Sequence, residues 1–119
     1  MEMKDLKGTT KILKAAADEG RLRMLMLLHC RPGVCVCEIK KVIGLSQPTI
    51  SSHLRLLESA GLVESQKEGL WVNYRLAQDM DQEAKTIIGL LHARLKEDPQ
   101  IKEDLKKIQK TDRHAICKR

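Results

Sequence analysis

Aromatic side chains are scarce in this chain of 119 residues, which has no phenylalanine, one tryptophan and one tyrosine. Its hydrophobic core must therefore be filled mainly by aliphatic side chains. Proteins that bind single-stranded nucleic acid without sequence preference stack successive bases on aromatic rings. With only two such rings, the sequence has too little material for a stacking surface of that kind.

Long apolar runs are also missing. No stretch approaches the roughly eighteen consecutive apolar residues that a transmembrane helix needs, so we expect no membrane partner. The first seven residues lack the apolar segment of a secretory signal peptide, and we therefore expect a cytoplasmic protein. The length suits one domain with a modest core.

The charge balance is mildly basic. Lysine and arginine number 22 against 16 aspartate and glutamate residues, which gives a net charge of +6 and an isoelectric point near 9.3. Such an excess suits a polyanionic partner such as nucleic acid. Because many cytoplasmic proteins are mildly basic, charge alone does not identify that partner.

Residues 46–61 have the pattern of a helix with one apolar side. Ser46 is a good N-cap, Pro48 suits the first turn, and Gly61 lies where a glycine ends a helix. The side chains that fall away from the apolar stripe are of the kind that bind base edges and phosphates. We predict that they contact DNA: Gln47, Thr49, Ser51, Ser52 and Arg55. A solvated helix face is the alternative, and His53 is interpreted as a packing residue or a phosphate contact.

The segments on either side of this helix favour a role in DNA recognition. Residues 36–43 predict a shorter helix that ends at Gly44, followed by a tight turn. Downstream, residues 62–65 and 70–76 predict two strands joined by a glycine-containing loop with Lys67 at its tip. We therefore expect a mainly α fold with a β-hairpin wing, a winged helix-turn-helix, in which Lys67 reaches a phosphate.

Further helices are predicted on both sides of this region. Residues 10–18 form a first helix, and residues 21–29 form a helix apolar on nearly every side, which we place in the core. After the wing, residues 81–96 predict a long helix whose apolar stripe exceeds what a small domain needs. We expect the first and the long helix to form a homodimer interface, with packing inside the domain as the alternative. The apolar residues of that predicted interface are Ile12, Leu13, Ile87, Ile88 and Leu91.

We divide the chain at residue 98. Residues 1–98 are predicted to form the domain for DNA binding and dimerisation. Residues 99–119 are predicted to be a C-terminal tail with one short amphipathic helix, which Asp98 caps and Pro99 begins.

Four cysteines raise the question of metal or redox chemistry. In a reducing compartment structural disulfides are disfavoured, which favours metal binding or redox sensing for Cys35 and Cys37. Side chains two residues apart diverge by about 200° on an ideal helix. The pair can therefore bind one ion only if Cys35 lies outside the helix or if the first turn unwinds. Inert thiols are the alternative for Cys30 and Cys117.

Four blocks of this sequence resemble the ArsR/SmtB family of bacterial metal-responsive repressors, and in particular its arsenic-sensing branch. The blocks are Cys35-Val-Cys37-Glu-Ile39, Gly44-Leu-Ser-Gln-Pro-Thr-Ile-Ser-Ser-His-Leu54, Leu57-Glu-Ser-Ala-Gly-Leu-Val63 and Gly69-Leu-Trp-Val-Asn-Tyr-Arg-Leu76. The resemblance implies a winged-helix homodimer bound to a palindromic operator. It also implies release when arsenite or antimonite, acting as an inducer and not as a permanent cofactor, binds the cysteine thiolates.

One position departs from the family pattern. Lys40 stands where some members carry a third cysteine, although trivalent arsenic prefers three thiolates. We favour Cys30 as the third ligand, with Cys117 as the alternative, or else a site of two thiolates completed by a small ligand. A nitrogen-sulfur zinc site that adds His29 to Cys35 and Cys37 is the competing metal hypothesis.

Other functions fit less well. A redox-sensing repressor would pair Cys35 or Cys37 with Cys30 or Cys117, and a repressor responding to zinc or cadmium is a further alternative. A protein-interaction module without a DNA role is disfavoured by the basic charge and the polar recognition face. No nucleophile-base-acid set or phosphate-cradling glycine loop is present, so we expect no enzyme activity.

Overall fold

The computed structural model describes residues 5–111. Within that range the elements follow one another as α1 (Leu6–Ala16), α2 (Glu19–Cys30), β1 (Val34–Cys35), α3 (Val36–Ile43), α4 (Gln47–Ser59), β2 (Val63–Glu68), β3 (Trp71–Leu76), α5 (Gln82–Leu95) and α6 (Pro99–Lys110). The predicted architecture, mainly helical with a β-hairpin wing, is confirmed. Among these residues no helix combines the length and apolar character of a membrane span.

Helix α2 forms the centre of the core, as its composition predicted. Residues 24–28 are all buried, although they occupy more than one full turn of the helix. A helix buried on every side requires neighbours all round. Helices α1, α3, α4, α5 and α6 and strand β3 all pack against it, so this one segment fixes the positions of the other elements.

The sheet has three strands, one more than the sequence predicted. The order is β1-β3-β2 and both pairings are antiparallel. The additional strand, β1, pairs Val34 with Tyr74 and Cys35 with Asn73. Two residues are too few to show an alternation of apolar and polar side chains, which explains why the pattern missed this strand.

The wing is longer, and its turn tighter, than predicted. Strand β2 continues to Glu68, which pairs with Trp71, so the turn consists of Gly69 and Leu70. Gly69 has a φ of +63°, a backbone conformation that glycine adopts without strain. The prediction of Lys67 at the tip of a four-residue loop is therefore wrong in detail. Lys67 lies in β2, opposite Val72, and is exposed.

The predicted tail helix, α6, packs on the helices before it. Ile101 and Ile108 are buried, as the amphipathic pattern indicated. Asp104 is also buried and accepts two hydrogen bonds from the Arg23 guanidinium of α2, at 2.8 and 2.9 Å. This carboxylate raises the pKa of Arg23 above its ordinary value. Two fixed hydrogen bonds between opposite charges therefore hold α6 against α2.

Helices α1 and α5 carry most of the exposed large apolar side chains. Leu6, Leu13, Ile87 and Leu90 are all exposed. A groove of about 370 Å³ runs between the two helices and includes Leu13 and Ile87 in its lining. Ile88, which is predicted to lie in the dimer interface, is instead only 3% exposed and belongs to the core of the protomer.

The ion pair between α2 and α6 leads to a stability prediction. Asp104→Ala leaves the Arg23 guanidinium largely buried and without its carboxylate partner, and we expect the free energy of unfolding to fall by about 3 kcal/mol in urea denaturation. Glu103→Ala, at an exposed position on the same helix, is the matched control and should change it by less than about 0.5 kcal/mol. Equal losses in the two variants would contradict this role for Asp104.

Candidate nucleic-acid interface and thiol site

Helix α4 is oriented by its apolar side. Ile50, Leu54 and Leu57 are buried against the core, which turns the opposite side of the helix outward. The helix begins as the sequence predicted. Ser46 is the N-cap, and its hydroxyl accepts a hydrogen bond from the backbone N–H of Thr49 at 3.3 Å. Both its orientation and its starting point are therefore determined by local sequence.

The predicted DNA-contacting residues differ in exposure. Gln47, Ser52 and Arg55 are exposed, whereas Thr49 and Ser51 are half-buried. The Thr49 hydroxyl lies 2.9 Å from the Ser46 hydroxyl, so Thr49 also takes part in the helix cap. The outer side of α4 thus presents an amide, a hydroxyl and a guanidinium, which together can donate to and accept from base edges and phosphates.

His53 holds α4 against the first turn of α2. Its Nδ1 lies 3.2 Å from the Arg21 guanidinium, its Nε2 lies 3.5 Å from the Asp18 carboxylate, and only 15% of its side chain is exposed. Asp18 also caps α2 by accepting from the backbone N–H of Arg21, a bond that lowers the pKa of Asp18. Of the two interpretations offered by the sequence, this geometry favours packing over a phosphate contact.

Gly20 makes this close approach of α4 to α2 possible. A Cβ atom at this position would lie 3.2 Å from His53 Nε2 and 3.2 Å from a methyl group of Leu45. Contacts that short require the neighbouring atoms to move. A side chain at position 20 would therefore displace the residues that seat the recognition helix.

The two neighbouring cysteines occupy different environments. Cys35 is the last residue of β1 and the N-cap of α3, has extended backbone angles and is 3% exposed. Cys37 lies in the first turn of α3 and is exposed. Of the two geometries that would let both thiolates bind one ion, the structure therefore has the first, with Cys35 outside the helix.

Glu38 fixes the start of α3. Its side chain is fully buried, and one carboxylate oxygen accepts from the backbone N–H of Cys35 at 3.0 Å. The other accepts from the Arg31 guanidinium at 3.2 Å, and Arg31 also donates to the Ile108 carbonyl of α6. We missed this connection in the sequence, although a glutamate three residues after an N-cap is half of a capping-box pattern.

The cysteines are not gathered into a three-ligand group. Cys30 and Cys35 are not in a disulfide, Cys37 is disulfide-bonded, and Cys117 lies outside the described residues. Partial burial raises the pKa of the Cys30 thiol, which disfavours the thiolate needed for metal binding. Between residues 5 and 111, no three side chains of histidine, cysteine, aspartate or glutamate are placed to hold a metal ion.

His29 packs against a histidine of α5. Its ring centroid lies 4.8 Å from that of His92, with the two rings tilted by 45°. Burial, and to a smaller extent the charge of His92, lowers the pKa of His29. The nitrogen-sulfur zinc group proposed for His29 with Cys35 and Cys37 is not assembled among the described residues.

A helix seated by its apolar side, with an exposed polar side and a β hairpin beyond it, defines a winged helix-turn-helix DNA-binding regulator. Residues 18–65 match the family model described as "Bacterial regulatory protein, arsR family". This range includes both helices of the helix-turn-helix and both neighbouring cysteines.

Curated relatives agree with that match. The chain is 38% identical over 67% of its length to the arsenic resistance transcriptional regulator ArsR1 of Pseudomonas putida, of which it covers 62%. It is 41% identical over 66% of its length to the arsenical resistance operon repressor of Escherichia coli, of which it covers 67%. A homologue of the cadmium resistance regulatory protein CadC from Staphylococcus aureus is 35% identical, over 71% of this chain and 69% of that protein.

Solved structures agree as well. HlyU from Vibrio cholerae is 35% identical and superposes with a TM-score of 0.67 over 78% of this chain and 97% of that one. The homodimeric winged helix-turn-helix DNA-binding domain Mb0332 from Mycobacterium bovis is 30% identical, with a TM-score of 0.65 over 77% of this chain and 82% of that one. The chain therefore belongs to the ArsR family, as the sequence resemblance indicated, and is a DNA-binding transcriptional regulator and not an enzyme.

Proposed function

We propose that the protein is a metalloid-responsive transcriptional repressor of the cytoplasm. It binds operator DNA as a homodimer and is released when arsenite or antimonite binds the thiolates of Cys35 and Cys37. The observation that carries this proposal is the position of Cys35, which ends a strand paired with the wing and also caps the helix on which α4 rests.

The DNA interface is assigned to α4 and the wing. Helix α4 enters the major groove, where Gln47, Ser52 and Arg55 reach base edges and phosphates, with Thr49 and Ser51 near the start of the helix. Lys67 contacts a phosphate from the wing. His53 supports this interface from behind by fixing α4 to α2.

The dimer interface is assigned to α1 and α5. Exposed leucine and isoleucine side chains gathered on two neighbouring helices are unusual for a monomer and typical of a self-association surface. The similar Mycobacterium bovis domain is homodimeric, which supports self-association of this chain. Two recognition helices related by a twofold axis then read a palindromic operator.

Inducer binding is coupled to DNA binding through the start of α3. Soft thiolates select trivalent arsenic and antimony over hard cations. Cys35 is buried and Cys37 exposed, so drawing both sulfurs onto one atom must move the residues between strand β1 and helix α3. That movement disturbs the Glu38 cap and the pairing with β3, and both recognition elements lose their alignment. The ligand then favours the conformation with low DNA affinity.

The third ligand of the bound metalloid has several candidates, which differ in the evidence for them. Cys30 is the proposed protein ligand if a third thiolate takes part, and Cys117 is the alternative. The raised pKa of Cys30 and the lack of a three-ligand group among residues 5–111 favour a site of two thiolates completed by a small ligand.

A thiol redox-sensing repressor is the second candidate. The observation that favours it is the disulfide at Cys37, while Cys30 and Cys35 are not in a disulfide. In this alternative, oxidation and not metalloid binding would restrain the first turn of α3.

A cadmium or zinc response is the third candidate, suggested by the similarity to the Staphylococcus aureus protein. Titrating the reduced protein on operator DNA with each ion, and separately with an oxidant, distinguishes the three.

Substitutions in α4 and the wing test the DNA interface. Arg55→Ala should weaken operator binding by about 1–3 kcal/mol if the guanidinium contacts a base, and should relax sequence preference. Lys67→Ala should weaken binding to all sequences and reduce the salt slope by about 1. Lys107→Ala, an exposed lysine of α6, is the control and should change neither quantity. If Arg55→Ala and a double variant at Ser51 and Ser52 both bound operator DNA with unchanged affinity, the assignment of α4 as the recognition helix would be wrong.

Charges on α5 test the dimer. Ile87→Glu combined with Leu90→Glu should yield monomers at micromolar concentration in sedimentation velocity, because two carboxylates cannot be buried unpaired in an apolar interface. Leu70→Glu, at the tip of the wing, is a matched control because Leu70 is at least as exposed, and it should leave the dimer intact. A monomeric wild-type protein would be inconsistent with the proposed interface.

Cysteine variants test the inducer site. Cys35→Ser and Cys37→Ser should each bind operator DNA normally but resist release by arsenite, because DNA binding needs no thiolate whereas metalloid capture needs both. The measurement is release of labelled operator under reducing conditions as arsenite is raised. A double variant released at the wild-type arsenite concentration would show that the sensor lies elsewhere.

Three further single variants assign the third ligand in the same assay. Cys30→Ser or Cys117→Ser weakens release only if that residue is the third ligand. Lys40→Cys lies one turn beyond Cys37 and should increase sensitivity by supplying a third thiolate.

A further inference from the structure

One buried polar atom next to the thiol site has no partner. Asn73 of β3 is 7% exposed, and its side-chain N–H group donates to a carboxylate oxygen of Glu68 at 2.9 Å. Its side-chain oxygen, Oδ1, is buried and has no hydrogen-bond donor within the described part of the chain. Most buried polar atoms in proteins are hydrogen-bonded, so an exception needs an explanation.

The sheet register places Asn73 directly opposite Cys35. Asn73 and Cys35 are direct partners in the antiparallel pairing of β3 with β1. Directly opposed residues project from the same face of a sheet, with Cβ atoms about 4.5–5.5 Å apart. Because the amide nitrogen donates to Glu68, the orientation of the amide is fixed and its other end is the acceptor. The pairing therefore places a buried acceptor and a buried thiol at directly opposed positions on one face of the sheet.

The chemistry of arsenite supplies the missing donor. Arsenite at neutral pH is an uncharged trivalent arsenic atom with three hydroxyl groups. When two thiols bind it, two arsenic–oxygen bonds break, two arsenic–sulfur bonds form, and two water molecules leave with the thiol protons. Arsenic remains trivalent and keeps one hydroxyl group. A dithiolate site thus holds a ligand with an O–H that needs an acceptor.

We propose that Asn73 Oδ1 accepts a hydrogen bond from the hydroxyl group that arsenite retains when it is bound by Cys35 and Cys37. The inference rests on the proposed function and specifies the bound species, which has two sulfurs and one oxygen on arsenic. It accounts for Lys40 at the position of a third cysteine, since the third place is taken by oxygen. It also makes Asn73 a specificity-determining residue, because it recognises a hydroxylated metalloid.

Phenylarsine oxide is the matched probe. Its arsenic carries a phenyl group and binds two thiols with no hydroxyl left over, so it needs the two cysteines but not Asn73. Asn73→Leu replaces the amide by an apolar side chain of similar size. With a non-thiol reductant present, the binding constants of both arsenicals can be followed by the fluorescence of Trp71, the single tryptophan of the chain.

We expect Asn73→Leu to weaken arsenite binding about five- to tenfold, the usual effect of losing one hydrogen bond, and to change phenylarsine oxide binding by less than about twofold. Glu68→Ala is the control for a merely structural role, because it removes the hydrogen bond of the amide nitrogen while the Asn73 side chain keeps an oxygen that can still accept from the hydroxyl group. It should leave the ratio of the arsenite and phenylarsine oxide binding constants close to that of the wild-type protein. Asn73→Ser provides a second, smaller substitution if Asn73→Leu fails to fold.

X-ray absorption of the arsenite complex gives a separate measurement, and we expect two sulfur neighbours and one oxygen neighbour on arsenic. Three sulfur neighbours, or equal weakening of both arsenicals by Asn73→Leu, would overturn the hydroxyl contact and leave the proposed inducer site standing. If the reduced wild-type protein binds neither arsenical, both the inducer assignment and this inference are wrong.

Discussion

The buried carboxylate of Glu38 is the contact on which the arrangement of the site depends. It accepts from the backbone of Cys35 and from Arg31, so it joins the start of α3 to the loop after α2, and through Arg31 to the end of α6. A buried charge is stable only when its partners remain in place. Any movement of Cys35 must therefore either carry this network along or break it, so it would be transmitted to α3, to the end of α2 and to α6.

The recognition helix, α4, is also held in place by contacts with the start of α2. His53 lies between Arg21 and Asp18, and the absence of a side chain at Gly20 lets it approach. Helix α4 thus packs on α2 and on α3, and it also contacts α1. The contact with the start of α2 is made by His53, whereas the contact with α3 adjoins the cysteine pair. A ligand at the cysteines therefore acts directly on the α3 contact, and α4 would pivot about the contacts of His53 with the start of α2.

Much of this fold could be predicted from the sequence because its signals are local. The cap at Ser46, the apolar stripe of α4 and the all-round apolar character of α2 each lie within a dozen residues, and all three are confirmed. The missed features depend on distant partners. Strand β1 exists because β3 lies beside it, the pairing of Asn73 with Cys35 joins residues 38 positions apart in the chain, and the Arg31 contact needs α6 in place. Burial of Ile88 likewise follows from tertiary packing and not from its helix position alone.

The dual position of Cys35, as the end of a strand paired with the wing and as the cap of α3, has a consequence for the order of events in a cell. Binding free energies at coupled sites are reciprocal: whatever factor the inducer removes from operator affinity, the operator removes from inducer affinity. Under the proposed function, a dimer bound to DNA has the lower affinity for the metalloid. Dimers that are not bound to DNA therefore bind the metalloid first. The inducer concentration at which transcription begins then depends on the concentration of dimers not bound to DNA, and not only on the affinity of the two thiols for the metalloid.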